Sequence, residues 1–242
     1  MNMEERDKIK DLLKALSEKL KKPENKDLLD EFLLNCGVFE VEGISDSAFV
    51  RLQRQVLRQK SRVYYKNVKN IKLQTELIDA HSQMLWYKTI NELERYFLYV
   101  NYQVENMLNY YIRENDAFTK IHQSAGTYHT ILKPPSNNGK TFQREIDCFQ
   151  FFFNKEQKPN KVSNIGSLWA KLLFWSIDKL GNDRFLTDQY WNLSAIIDIR
   201  NEQNHADYER QSNKCKWWYE QEDGFSLAFI EAILKTIRNS IL

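Results

Sequence analysis

Residues 196 to 207 read IIDIRNEQNHAD, and in that run Arg200, Asn201 and His205 stand at the polar end of a core-seeking segment. On a helix Asn201 and His205 lie one turn apart on the same face, and the long side chain of Arg200, beside Asn201, reaches around to join them. An imidazole titrates near neutral pH, so it can take or give a proton. A guanidinium is a permanently charged planar fork suited to an anion. Together they make a candidate catalytic pair. The competing reading is a helix C-terminus, where His205 meets the negative end of the dipole and Arg200 pairs with Asp198 or Glu202. Under either reading Leu193, Ile196 and Ile197 hold the segment in a core.

Other chemistries fit less well. His81, His122, His129 and His205 are far apart, and none belongs to an HExxH or Cys/His zinc spacing, so no metal site and no cofactor are expected. The NGKT at 138 to 141 imitates a phosphate loop, but Pro134 holds the place of its first glycine and no strand is expected before it, which leaves an exposed loop. A GxSxG elbow is missing, and nothing places a cysteine with a histidine. Cys36, Cys148 and Cys215 are too widely spaced for a disulfide framework and read as reduced core thiols.

The elements that must position the polar cluster are helices. With 242 residues, 42% of them hydrophobic, the chain can bury a sizeable core, and its 7 Gly and 4 Pro leave long uninterrupted stretches of helical periodicity. Helices are predicted over 4 to 21, 25 to 36, 83 to 115, 142 to 154, 163 to 180, from about 187 past His205, and 225 to 241; VFEVEG at 38 to 43 reads as an extended linker. In the helix over 83 to 115, Leu93, Phe97, Val100, Val104, Met107, Leu108 and Tyr111 form the buried stripe. Glu105 falls inside it and must reach solvent or find a cationic partner. Gly181 and Ser163 or Asn164 are the expected caps of the helix over 163 to 180.

Formal charge is only +2, so any nucleic-acid surface must be local. One candidate exists. A long helix is signalled from Ser45 or Asp46, and no acidic residue appears from there to Glu76. Arg51, Arg54, Arg58, Arg62, Lys66 and Lys69 follow one another at helical spacing, opposite Phe49, Leu52, Val56 and Val63. That stripe reads either as a solvated face or as a track for RNA phosphates. Without a signal peptide or an apolar run of membrane-spanning length, the chain is expected to be cytoplasmic, with no membrane partner. The expected architecture is all-α: an up-and-down helical bundle over 73 to 242, preceded by a helical extension over 1 to 72 that carries the basic amphipathic helix.

R-N-x-x-x-H near the end of the penultimate helix of such a bundle resembles the R-x(4-6)-H motif of the HEPN superfamily (higher eukaryotes and prokaryotes nucleotide-binding). Asn201 occupies the polar position that often follows the motif arginine. Glu105, in YQVENMLNYYI, matches the acidic residue of an earlier long helix that pairs with that arginine in family members. The resemblance covers roughly residues 75 to 242 and leaves the first 70 unmatched. It implies metal-independent RNA cleavage at a composite site where two copies of the domain meet, hence a homodimer. A toxin or defence effector is the implied role, with an antitoxin or other regulatory partner. In that scheme His205 is general acid or base, Arg200 binds the scissile phosphate, Asn201 orients phosphate or ribose, and Glu105 holds Arg200. Tyr110, Tyr208 and Trp217 are candidates for base stacking. The alternative is a catalytically inert HEPN-like module that binds a nucleotide, RNA or a partner protein. An all-helical scaffold with an unrelated motif is a third.

Overall fold

The computed structural model describes residues 3–20, 22, 46–133, 143–203 and 227–242. The expected helix over 25 to 36, the 38 to 43 linker, the NGKT loop, Cys36, Cys215, Tyr208, Trp217 and His205 itself lie outside the described residues. Those described form an all-α bundle carrying one small two-stranded sheet. The chain divides into two compact units, Met1–Gln55 and Val56–Leu242.

In the first unit α1 (Met3–Leu20) matches the predicted helix and leaves Ile9, Leu12 and Leu13 of its apolar stripe exposed. Helix α2 (Asp46–Tyr64) begins in this unit and ends in the second. It takes in Arg51, Arg54, Arg58 and Arg62 but ends before Lys66 and Lys69, the last two of the basic residues expected on one helix. Residues 65 to 70 form a turn, in which Tyr65 and Val68 drop into the core. The Gln74 amide donates to the carbonyl oxygens of Tyr65 and Lys66, at 3.0 and 3.4 Å. The Asn70 side chain accepts from the Leu73 amide, capping a new helix, α3 (Ile71–Thr89). Lys66 and Lys69 therefore sit in a connection and not on the α2 face.

A second break divides the helix predicted over 83 to 115. Asn91 adopts a left-handed φ of 56°. The Glu92 amide donates back to the Tyr87 carbonyl at 2.9 Å and the Asn91 amide to that of Lys88 at 3.2 Å, the paired bonds of a Schellman cap. Asparagine tolerates this conformation where most side chains do not. The chain reverses there, and α4 (Leu93–Glu114) packs along α3.

Helix α4 is the hub of the second unit: α3, α7 (Leu168–Leu180), α9 (Tyr190–Gln203) and α10 (Leu227–Ile241) all pack against it. Burial on several sides explains its content, since Tyr96, Phe97, Val100, Val104, Met107, Leu108, Tyr111 and Ile112 are all enclosed. Between α4 and α7 run α5 (Ala117–Gln123), strand β1 (His129–Leu132), strand β2 (Arg144–Asp147) and α6 (Cys148–Phe152). The helix predicted over 142 to 154 is thus half strand. β2 pairs antiparallel with β1, with Leu132 opposite Arg144 and His129 opposite Asp147, and buries Ile146. The Asp147 carboxylate then accepts from the Phe149 amide at 2.9 Å and starts α6. Cys148 is a buried free thiol, as expected, and burial raises its pKa.

Ser167, and not Ser163 or Asn164, caps α7: its hydroxyl accepts from the Ala170 amide at 3.3 Å, while residues 162 to 164 form a 3-10 turn. Gly181, at φ 80°, ends α7 as expected. The helix expected from 187 is preceded by a short one, α8 (Arg184–Asp188), and broken at Gln189. α10 buries Ile230, Ile233, Leu234 and Ile237, as its pattern predicts. No helix among the described residues is long and apolar enough to cross a membrane.

A buried histidine ties α2 to α3. Ser61 donates to the Leu57 carbonyl at 2.8 Å, so its oxygen accepts from Nδ1–H of His81 at 2.9 Å. Tyr64 stacks on the imidazole at 4.4 Å, and the Arg238 guanidinium lies over the same Tyr64 ring, 3.8 Å from its centroid. Burial, reinforced by the Arg238 charge, pushes His81 down to about 4. The folded protein keeps this ring neutral, whereas the unfolded chain protonates it below about pH 6.5. The resulting stability is complete above that pH and is lost as pH falls toward 4, to the extent of about 2 kcal/mol at pH 4.5. Urea unfolding at pH 7 and pH 4.5 should show the wild type losing about 2 kcal/mol more than His81→Gln. Equal losses would refute this role.

Candidate functional site

The site begins with a carboxylate where the core should be apolar. On α4, Glu105 lies between Val104 and the buried pair Met107 and Leu108, with 23% of its side chain exposed. Its first partner comes from α7, whose residues from Leu168 to Ser176 are all buried. Lys171 sits in the middle of that stretch, 1% exposed, and its Nζ donates to Glu105 Oε1 at 2.7 Å. A lone ammonium there would be very costly, so the pair is obligatory.

The second partner is Arg200. Leu193, Ala195, Ile196, Ile197 and Ile199 bury α9, and the helix then delivers Arg200, 26% exposed, over the same carboxylate. Arg200 Nη2 lies 3.4 Å from Glu105 Oε2, and its Nη1 lies 3.4 Å from Asn201 Oδ1. Both contacts are long. Glu105 is thus bound tightly through one oxygen by Lys171 and loosely through the other by Arg200, which keeps donors unspent.

Beyond Arg200 opens a pocket of about 270 Å³, walled by Arg144, Phe151, Ser167, Trp169, Arg200 and Asn201 among others. Strand β2 supplies Arg144, whose guanidinium lies 5.2 Å from the Trp169 ring centroid. Tyr190 stacks on Trp169 at 5.3 Å and an angle of 21°, which fixes the indole. The first turn of α7 contributes Ser167, Leu168 and Trp169, so the positive end of that helix borders the pocket. Cations, a helix N-terminus and an amide favour an anion there.

Of the residues singled out by sequence, Glu105, Arg200 and Asn201 come together, and His205 lies outside the described residues. In the second unit Arg58, Arg62, Lys66 and Lys69 are exposed, and Arg58 is bridged to Asp79 at 2.6 Å. Arg51 and Arg54 belong to the first unit, where Arg54 is exposed. Tyr110 is half-buried beside the core. The Ser61 and His81 pair has the groups of a nucleophile and base, but Ser61 is fully buried, so no substrate reaches it.

Lys171, Arg144, Ser167 and Phe151 were not anticipated. Lys171 had a signal, being one cation in the apolar run LWAKLLFW, the same anomaly that exposed Glu105. Arg144 had none, because its place depends on a strand that the pattern hid. Comparison of the chain with family models, curated proteins and solved structures found no match.

The unequal sharing of Glu105 predicts unequal costs. Glu105→Ala strands the buried Lys171 ammonium and should destabilise by about 3–5 kcal/mol. Lys171→Met leaves a carboxylate that keeps Arg200 and some solvent, at a cost of about 1–2 kcal/mol. Chemical denaturation of both variants and of the double variant, which should recover part of the Glu105→Ala loss, checks the order. Similar costs for the two single variants would contradict the asymmetry.

Proposed function

We propose that the chain is a metal-independent endoribonuclease of the HEPN type, acting as a homodimer in which two RNEQNH segments share one cleft. The observation that carries this reading is the contact between Glu105 and Arg200, two residues 95 positions apart that the motif resemblance pairs. The pocket beside Arg200 supports it by offering an anion more than one cation.

In the proposed reaction a ribose 2'-hydroxyl attacks the adjacent phosphorus. Its proton passes to one His205 as the P–O bond forms, and the bond to the 5' oxygen breaks. The departing oxygen takes a proton from the second His205, contributed by the other copy. Arg200 balances the charge that develops on the phosphoryl oxygens. Asn201 orients the phosphate or ribose. Glu105, held by Lys171, keeps Arg200 in place without cancelling its charge. The products are a 2',3'-cyclic phosphate and a 5'-hydroxyl. The exposed basic residues Arg58, Arg62, Lys66 and Lys69 are the proposed contacts to the RNA backbone outside the cleft.

Incubation of purified protein with total RNA in EDTA tests the proposal. Cleavage should proceed, yield cyclic phosphate ends, and fall about 10²–10⁴-fold in His205→Ala and about 10²–10³-fold in Arg200→Ala. Sedimentation should give a dimer. RNA that binds but stays intact would replace the enzyme with an inert binding module of the same fold.

A further inference from the structure

The pocket beside Arg200 holds more charge than the proposed chemistry uses. Among the described residues its wall carries two cations, Arg144 and Arg200, and no carboxylate; Glu105, behind Arg200 at 3.4 Å, already has its other oxygen taken by Lys171 at 2.7 Å. No carboxylate among the described residues pairs with Arg144, which rests on the Trp169 face at 5.2 Å. A guanidinium stacked on an indole keeps its in-plane donors for a third group. The Arg144 and Arg200 guanidinium groups, the Ser167 hydroxyl and the amino end of α7 line one hollow. That set suits a phosphate.

Two further features narrow the ligand. Phe151, 38% exposed, stands on the pocket wall with its ring available to a flat partner. At about 270 Å³ the hollow falls below the range of about 300–1,000 Å³ that encloses whole small ligands. It has room for one phosphate and its sugar, with the base lying outside against an aromatic ring. A segment of single-stranded polynucleotide has that division of parts.

The geometry points to a nucleotide subsite in which Arg144 and Arg200 grip one RNA phosphate and Phe151 stacks the adjoining base. It rests on the RNA reading of the same site and adds two residues to it, Arg144 and Phe151, from elements that the RNEQNH segment does not include. Arg144 binds through a bidentate fork fixed by Trp169, and Trp169 is in turn fixed by Tyr190.

The test uses the full chain carrying His205→Ala, which prevents turnover, titrated with a labelled short single-stranded RNA and separately with inorganic phosphate. Arg144→Ala should weaken RNA binding about 10-fold and reduce the slope of log affinity against log salt by about 1. Phe151→Ala should weaken it by a similar factor with the slope unchanged, and should leave phosphate binding as it was. Asn201→Asp is an exposed change that puts a negative charge at the rim; it should weaken both ligands while thermal unfolding stays at the parent value, so the test survives if Arg144→Ala fails to fold. Unchanged affinity and slope in Asn201→Asp and in a folded Arg144→Ala or Arg144→Lys overturn the subsite. RNA that binds no more tightly than phosphate overturns the nucleotide assignment. RNA held in this manner but never cut by the parent protein removes the ribonuclease reading and leaves the subsite standing. Cleavage that depends on His205 but is indifferent to Arg144 and Phe151 does the reverse.

Discussion

A single half-buried carboxylate among apolar neighbours constrains the whole second unit. Glu105 can sit on the hub helix only because α7 brings an ammonium to one of its oxygens and α9 brings a guanidinium to the other. Such an arrangement does not add net stability over a hydrophobic substitute, since desolvating two charges offsets their attraction. Its effect is to fix positions. Lys171 takes the close contact and most of the compensation, and Arg200 is left oriented but underused. A cation held in place by an anion already satisfied elsewhere is what an anionic ligand requires.

The rest of the unit serves that arrangement by closing the hub on several sides. α3 and α10 cover α4 with aliphatic and aromatic side chains, leaving the remaining flanks to α7 and α9. The small sheet has a different use. It turns the chain so that Arg144 arrives at the amino end of α7, where Trp169 and Tyr190 form a rigid backing. Charges from two segments distant in sequence, Arg144 and Arg200, thus share one rim. Each is placed by packing that the other does not provide.

Much of this was legible in the chain, and the failures share a cause. The helical class, the buried faces of α4 and α10, the Gly181 stop and the need of Glu105 for a cation all follow from periodicity and local chemistry. Breaks made without glycine or proline were missed. Asn91 and the turn after Tyr64 are stabilised by hydrogen bonds whose donors and acceptors are ordinary residues. REID at 144 to 147 reads as helix in the sequence because four residues are too few to show alternation, and only pairing with β1 decides its state. That error concealed Arg144. Lys171 was visible as an anomaly of the same kind as Glu105, but no rule of spacing connects positions 105 and 171.

The left-handed turn at Asn91 has a consequence for dimensions. Without it, residues 71 to 114 would continue as a rod about 65 Å long. A rod of that length would carry α4 away from α3, and the flank of α4 that α3 now covers would need another partner. Folded back on itself, the same sequence becomes a short broad post, with one flank of α4 closed by α3 and others left for α7 and α9. The reversal converts length into enclosure, and one residue with a tolerance for positive φ is enough to do it.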